Sequence, residues 1–292
     1  MKTKSIVAAL LVIVLVTLFA LSGVAFIFSD TQSGEAAVIK LNGPIQPTQA
    51  TGLGATSGIT PEKVRNLNSQ AESRGVDAIV YEINSGGGAV VASKEVKRSI
   101  EDVDVPTICR FRDTAASGAY LFSLGCDKIV ADSASLTGSI GVRASYLEFS
   151  DLMQEYGITY VNVTAGANKE VGSRFSEPTE EEKKQLKQRV EIVHEDFKTQ
   201  VQQGRNLTDE EIDEIATGEV FLGEQAKELG LVDKLGGRET AYETAENVTG
   251  KNLNFVSVES RQQFNPFSLL ISSIFPDFSL SSQGSVLRAE FP

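Results

Sequence analysis

The chain has 292 residues, 41% of them apolar and 23% charged, and carries 39 acidic against 27 basic side chains for a formal net charge of −12. That balance argues against a nucleic-acid partner, which needs a basic face. Once an N-terminal apolar run is set aside, roughly 260 residues remain, enough for one α/β domain or two small ones.

Two lysines, Lys2 and Lys4, precede a predominantly apolar run over 6–28 that holds no charged residue. It is longer than a signal-peptide core and long enough to span a bilayer. Residues 1–29 are therefore expected to be a transmembrane anchor, with a cleaved signal peptide as the alternative. Lysines on the short side place everything after Ser29 outside the cytoplasm. The expectation is a single-pass protein of the cell membrane with an extracytoplasmic domain.

Residues 36–41 read as a strand, and 46–58 as a Gly/Ser/Thr-rich loop. Thr60 caps a helix that Pro61 opens, with Val64, Leu67 and Ala71 inward. Residues 76–83 form a second strand, apolar enough to be covered on both faces. It runs into Asn84-Ser85-Gly86-Gly87-Gly88 and then a helix with Val91, Val96 and Ile100 inward. Strand, glycine turn, helix lets backbone N–H groups approach a ligand closely. Neither a Walker ending nor a dinucleotide fingerprint is present.

A third strand over 106–111 leads through charged residues to Thr114-Ala-Ala-Ser117-Gly-Ala-Tyr120, where Ser117 sits at a strand-to-helix junction. Helical N–H groups there point at whatever binds. A short strand over 128–131, the stretch Leu136-Thr-Gly-Ser139-Ile-Gly-Val142, a helix around 146–156 and a strand over 158–163 follow. Lys169 lies in Gly166-Ala-Asn-Lys169-Glu170, after a neutral run compatible with burial. A long helix starts at Thr179, and Thr208 with Glu211 makes a capping box. One or two helical turns over 221–229 and a last helix over 239–248 complete the βα alternation of a parallel sheet. The tail, 251–292, is apolar over 264–275 but too short there to span a bilayer.

The only histidine, His194, stands in a charged helix beside Leu186, Val190, Val193 and Phe197 and reads as a solvated or flanking residue. If Ser117 is a nucleophile, another base must serve it. Cys109 and Cys126 lack zinc-site spacing. They read first as buried thiols, with a disulfide as the alternative for a domain outside the cytoplasm. No metal and no cofactor is expected. Asn162, Asn206 and Asn247 each begin an Asn-x-Thr sequon.

Four features now stand in order: Asn-Ser-Gly-Gly-Gly after a strand, Ala-Ala-Ser117-Gly, Leu-Thr-Gly-Ser139-Ile-Gly, and Lys169 in Gly-Ala-Asn-Lys-Glu. Together they resemble the signal peptide peptidase A family, membrane-bound serine proteases with a Ser-Lys dyad on a Clp-protease/crotonase-like α/β fold. The resemblance spans about 38–248 and is to the short, single-domain members. It implies that Ser117 is the nucleophile and that Lys169, 52 positions later, is the general base. It further implies that Ser139 holds the lysine amine and that Gly87 and Gly118 supply the oxyanion-hole N–H groups. Gly86 departs from the family pattern, which usually has proline there. Lysine suits the base role only when neutral, and burial lowers its ordinary pKa of about 10.4.

The resemblance also implies a homo-oligomeric ring whose active sites are shared between protomers, and hydrophobic peptide substrates, remnant signal peptides among them. The expected organisation is an anchor over 1–29, a peptidase domain over 36–250 and the tail. Two other classes compete. One is an inactive scaffold binding membrane proteins, which the intact Ser117/Lys169 pair disfavours. The other is a crotonase-type acyl-CoA enzyme, which the extracytoplasmic placement disfavours.

Overall fold

The computed structural model describes residues 33–49 and 58–259. The expected anchor, most of the 46–58 loop and the apolar stretch of the tail lie outside the described residues. Among the described residues, no helix is long and apolar enough to cross a membrane.

In chain order the elements are β1 (Ser33–Asn42), α1 (Pro61–Glu72), β2 (Ala78–Ser85), α2 (Val90–Glu101), β3 (Thr107–Ala116), α3 (Gly118–Ser123), β4 (Lys128–Ala131) and β5 (Leu136–Gly138). Then come α4 (Ser150–Glu155), α5 (Glu180–Arg205), α6 (Asp209–Ile215), β6 (Val220–Leu222), α7 (Gly223–Glu228), β7 (Lys234–Leu235), α8 (Arg238–Thr249) and β8 (Asn252–Val258). The sheet runs β6-β5-β3-β2-β1-β8, with β4 branching from β3 and β7 from β4. Every pairing is parallel except β5 with β6.

The sheet is covered on both faces, which is why β2 is buried along nearly its whole length. One face carries Ile39, Leu41, Tyr81, Ile83 and Phe111 against α1, α2 and α3. The other packs Val80, Ile108 and Val130 against Ala241 and Ala245 of α8. At the edge of that second face, Glu82 is only 1% exposed and is held by Arg110 Nη1 at 3.0 Å and Arg238 Nε at 2.9 Å. The α1 cap forms as expected, Thr60 Oγ1 accepting from the Lys63 N–H at 3.2 Å. Both other Thr-led helices, α5 and α6, start with reciprocal capping boxes.

Several expectations change. Residues 252–258 are not tail. They form β8, paired in parallel with β1, so the body runs past 250 to Val258. No strand forms over 158–163, where Val161 is 78% and Val163 93% exposed. The expected 146–156 helix shrinks to α4, in which no residue is buried. In α2 the inward stripe is Ala92, Ser93, Val96, Ser99 and Ile100, and Val91 points to solvent. Cys109 and Cys126 are joined in a disulfide, with their Cα atoms 5.8 Å apart. The bond ties β3 to the turn after α3, on either side of Ser117 in the chain.

Candidate active site

β3 changes partners along its length. Residues 108–111 pair with β4 and residues 114–116 with β5. Between them the register with β2 jumps from Ile83 opposite Phe111 to Ser85 opposite Ala115. Such a bulge bends a strand and re-aims the residues beyond it. Asn84 spans the irregularity: its Oδ1 accepts the Thr114 N–H at 3.1 Å and its Nδ2 donates to Asp113 Oδ2 at 3.2 Å.

The bent strand delivers Ser117, at φ 55° and ψ −123°, immediately before α3. A non-glycine residue at positive φ costs on the order of 1–3 kcal/mol and persists only where its surroundings over-determine it. Here they do. The Ser117 N–H donates to the Gly138 carbonyl at 2.8 Å, and its own carbonyl accepts the Leu121 N–H at 2.9 Å. Small neighbours are needed because α3 is pressed against α2. A Cβ on Gly118 would lie 2.4 Å from Ser93 Oγ. The Gly118 N–H finds no acceptor among the described residues, which leaves it open to a ligand.

The glycine turn comes equally close. A Cβ on Gly87 would sit 2.8 Å from the Gly118 nitrogen and 2.9 Å from Ser117 Cβ. Ile45 braces the turn: its N–H donates to Gly87 O, and its carbonyl accepts from the Ala89 N–H, both at 3.0 Å. Gly86, where the family pattern has proline, has open space around its missing side chain. The Gly87 N–H is engaged, at a long 3.2 Å, by Ser85 Oγ. Of the two expected oxyanion donors, one is therefore free in this state and one is weakly occupied.

Ser139 follows Gly138 at φ 51°, and its N–H donates to Glu219 O at 2.7 Å. Thr137 Oγ1 donates to Ala115 O at 2.7 Å and stitches β5 to β3. The structure thus brings Gly87, Ser117, Gly118 and Ser139 together on one cleft of about 740 Å³. Leu121, Val193 and Phe197 add apolar wall. Lys94 and Asp196 add an ion pair at the rim. The Lys94 ammonium beside Asp196 holds that carboxyl below the usual carboxylate range, against a smaller opposing cost of desolvation.

Two residues are not where the sequence suggested. Lys169 does not line this cleft. It is exposed, as are all of residues 161–168, in a turn where its N–H donates to Gly166 O at 3.2 Å. The burial expected for it is not supplied by the described residues. His194, read as a solvated or flanking residue, is in the cleft wall and half-buried, with Nε2 3.2 Å from Ile140 O. Its charged neighbours on the helix hid it, and the cleft and the contact with residue 140 reveal it. Among the described residues no cluster of His, Cys, Asp or Glu could hold a metal ion.

The model of peptidase family S49 matches residues 100–253, which include Ser117, Ser139 and Lys169. The chain belongs to this family. A protein of Enterococcus faecium provisionally named signal peptide peptidase SppA is 34% identical over 210 residues, 70% of this chain and 61% of that one. A provisionally named protease of Methanocaldococcus jannaschii is 34% identical over 200 residues, 65% of this chain and 64% of that one. The chain thus spans less than two thirds of the length of either relative. The resemblance read from the four motifs is therefore shown at the level of the family. A solved membrane-bound stomatin-specific protease, 1510-N, in a mutant form bound to a substrate peptide, is 16% identical. It covers 83% of this chain and 98% of its own with a TM-score of 0.51. That likeness shows the fold: the S49 chain has the mostly parallel α/β architecture of that protease.

Proposed function

We propose that this S49 chain is a membrane-anchored serine endopeptidase that works through an acyl-enzyme on Ser117. The observation that carries the reading is the posture of Ser117. It is held at positive φ on a cleft, next to a free Gly118 N–H and under a glycine turn that admits no side chain. In the reaction Ser117 Oγ attacks the peptide carbonyl while a neutral Lys169 amine takes the hydroxyl proton. The Gly118 N–H, joined by that of Gly87 when it leaves Ser85 Oγ, stabilises the oxyanion. The lysine then protonates the leaving amine. Water, deprotonated by the same lysine, releases the acyl group and restores the serine. Ser139 orients the amine. The substrate is an extended hydrophobic peptide, as the apolar wall of the cleft favours, and remnant signal peptides are the class that the name of the E. faecium relative suggests.

Lys169 comes from a neighbouring protomer in a homo-oligomeric ring. Its absence from the Ser117 cleft supports this, as does the exposed apolar segment around it, with Ile158, Tyr160, Val161 and Val163 open to solvent. A partner chain covering that segment would supply the burial a lysine base needs. The apolar run over 6–28 anchors the chain, and the Cys109–Cys126 disulfide fits a domain outside the cytoplasm.

The test is a fluorogenic hydrophobic peptide and a fluorophosphonate probe applied to the full-length chain, with Ser117→Ala beside it. Wild type should cleave the peptide and carry the probe on Ser117, and the variant should do neither while unfolding at the same temperature. Probe on another residue, or a fully active variant, would sink the assignment. Ser139→Ala should cost less than Ser117→Ala, since it removes one hydrogen bond worth about 0.5–1.5 kcal/mol.

A further inference from the structure

The first two thirds of α5 run at the surface of the fold. None of residues 180–196 is buried, and the first buried side chains are Phe197 and Val201. Two polar contacts tie this stretch to the segments that carry site residues. Gln185 Nε2 donates to Asn168 Oδ1, next to Lys169, at 3.3 Å. His194 Nε2 meets the carbonyl of Ile140, next to Ser139, at 3.2 Å. The two contacts are nine residues apart on one helix, about 13.5 Å along its axis at the α-helical rise. α5 is therefore a strut, with the Lys169 turn at one point and the Ser139 turn at the other. The Gln185–Asn168 contact and the Lys94–Asp196 ion pair both join exposed or partly exposed side chains and contribute little, so the His194 contact is the principal tie of this stretch.

The Ser139 turn needs such a tie. Gly138 and Ser139 are both at positive φ, 74° and 51°. The Gly138 carbonyl holds the Ser117 N–H, and the Ser139 N–H is held by Glu219 O. His194 closes the other side of this turn through Ile140. A carbonyl oxygen only accepts, so Nε2 carries the proton, in the neutral ring and in the imidazolium alike. The contact thus needs a donor at the reach of Nε2, not a particular charge.

We infer that His194 is a positioning residue for the reaction, holding the Ser139 turn to α5 and so fixing Ser139 and the carbonyl that anchors the Ser117 N–H. This rests on the peptidase reading above. The experiment compares His194→Met and His194→Phe, which fill the space without a donor, with His194→Gln, whose amide nitrogen donates at similar reach. All are full-length chains, assayed for kcat, KM and the rate of fluorophosphonate labelling. Met and Phe should lower kcat and labelling about 10- to 100-fold, the scale of small misplacements of reacting groups. KM should change less than about twofold, because the loss lies in transition-state alignment. Gln should stay within about threefold of wild type in kcat, since it restores the bond. A His194→Met chain with wild-type kcat overturns the inference, and so does a Gln variant as slow as Met. If the bulkier Phe variant fails to fold, the Met–Gln contrast decides. Wild type labelled away from Ser117, or nowhere, removes the peptidase reading itself and this inference with it. A labelled wild type beside an unimpaired Met variant removes the inference alone.

Discussion

The backbone N–H of Ser117 donates to the carbonyl of Gly138 at 2.8 Å, so the residue before Ser139 anchors the serine proposed as nucleophile. Two motifs separated by about twenty residues of chain are thereby one structural unit. Gly138 has no latitude in this arrangement. Its φ is 74°, and a Cβ there would lie 2.7 Å from Phe221 Cδ2 and 3.3 Å from Glu219 O. Gly138→Ala should therefore destabilise the fold by about 1–3 kcal/mol through backbone strain and the displaced ring. It should also lower peptidase activity more than tenfold at temperatures where the chain stays folded, because the anchor for Ser117 moves with it. Urea unfolding beside the peptide assay checks both. An alanine variant with unchanged stability and rate would show that the turn tolerates a side chain.

Neighbouring glycines of the Gly86-Gly87-Gly88 turn should differ sharply. A methyl group on Gly87 has nowhere to go between Ser117 and Gly118, and φ there is 97°. Gly87→Ala should abolish labelling of Ser117 by a fluorophosphonate. Gly86 has nothing within 4 Å of its missing Cβ. Gly86→Ala should leave the unfolding temperature within about 2 °C of wild type, as surface changes do. Equal thermal damage from both would mean that the turn is not held as described.

Glu82 offers a prediction about pH. Burial alone would push its carboxyl up, but the hydrogen bond and charge of Arg238, with the charges of Arg110 and Arg112, outweigh this and hold it below the usual carboxylate range. A depressed folded pKa means the group stabilises fully above its unfolded value, near 4.3, and that this is lost as pH falls through the folded value. Glu82→Gln should cost about 3 kcal/mol near pH 7, since it leaves the largely buried Arg110 without its partner. The gap between wild type and variant, read from urea midpoints, should be flat from pH 8 to about 6 and should narrow below about pH 4. A gap that widens in acid would reverse the sign and refute this account.

Much of the catalytic end was legible because backbone rules fix it locally. A run of small residues around Ser117, a glycine turn directly after an apolar strand, and Thr60-Pro61 each leave few conformations open. What escaped the sequence depends on contacts between distant segments. Ile158, Tyr160, Val161 and Val163 have strand propensity, but propensity measures fit to a half-buried pleated surface, and among the described residues no strand pairs with them, Tyr160 packing on the ring of Phe175. The Cys109–Cys126 pairing needs α3 to fold back onto β3. His194 sits among charged residues on a long helix, and its contact with Ile140 joins segments 54 positions apart in the chain. β8 was missed because its pairing partner, β1, lies at the opposite end of the chain.

The position of Lys169 leads to the last prediction. Lys169 is exposed and does not line the Ser117 cleft, which is the arrangement a base supplied from a neighbouring chain would have. If the dyad is shared, Ser117→Ala and Lys169→Ala chains, each inactive alone, should recover activity when mixed under conditions that allow subunits to exchange. Each working site takes its serine from one chain and its lysine from the next around the ring. With equal amounts mixed at random, half the serine positions and half the lysine positions are intact, so about one quarter of sites should work. Lys169→Arg in place of Lys169→Ala should be equally inactive alone, because arginine does not give up its proton, and it should support the same recovery. A dyad closed within one chain predicts no recovery at any ratio, since every chain then lacks one of its two groups. Labelled subunits seen to exchange by fluorescence transfer while the mixture stays inactive would therefore rule out the shared site.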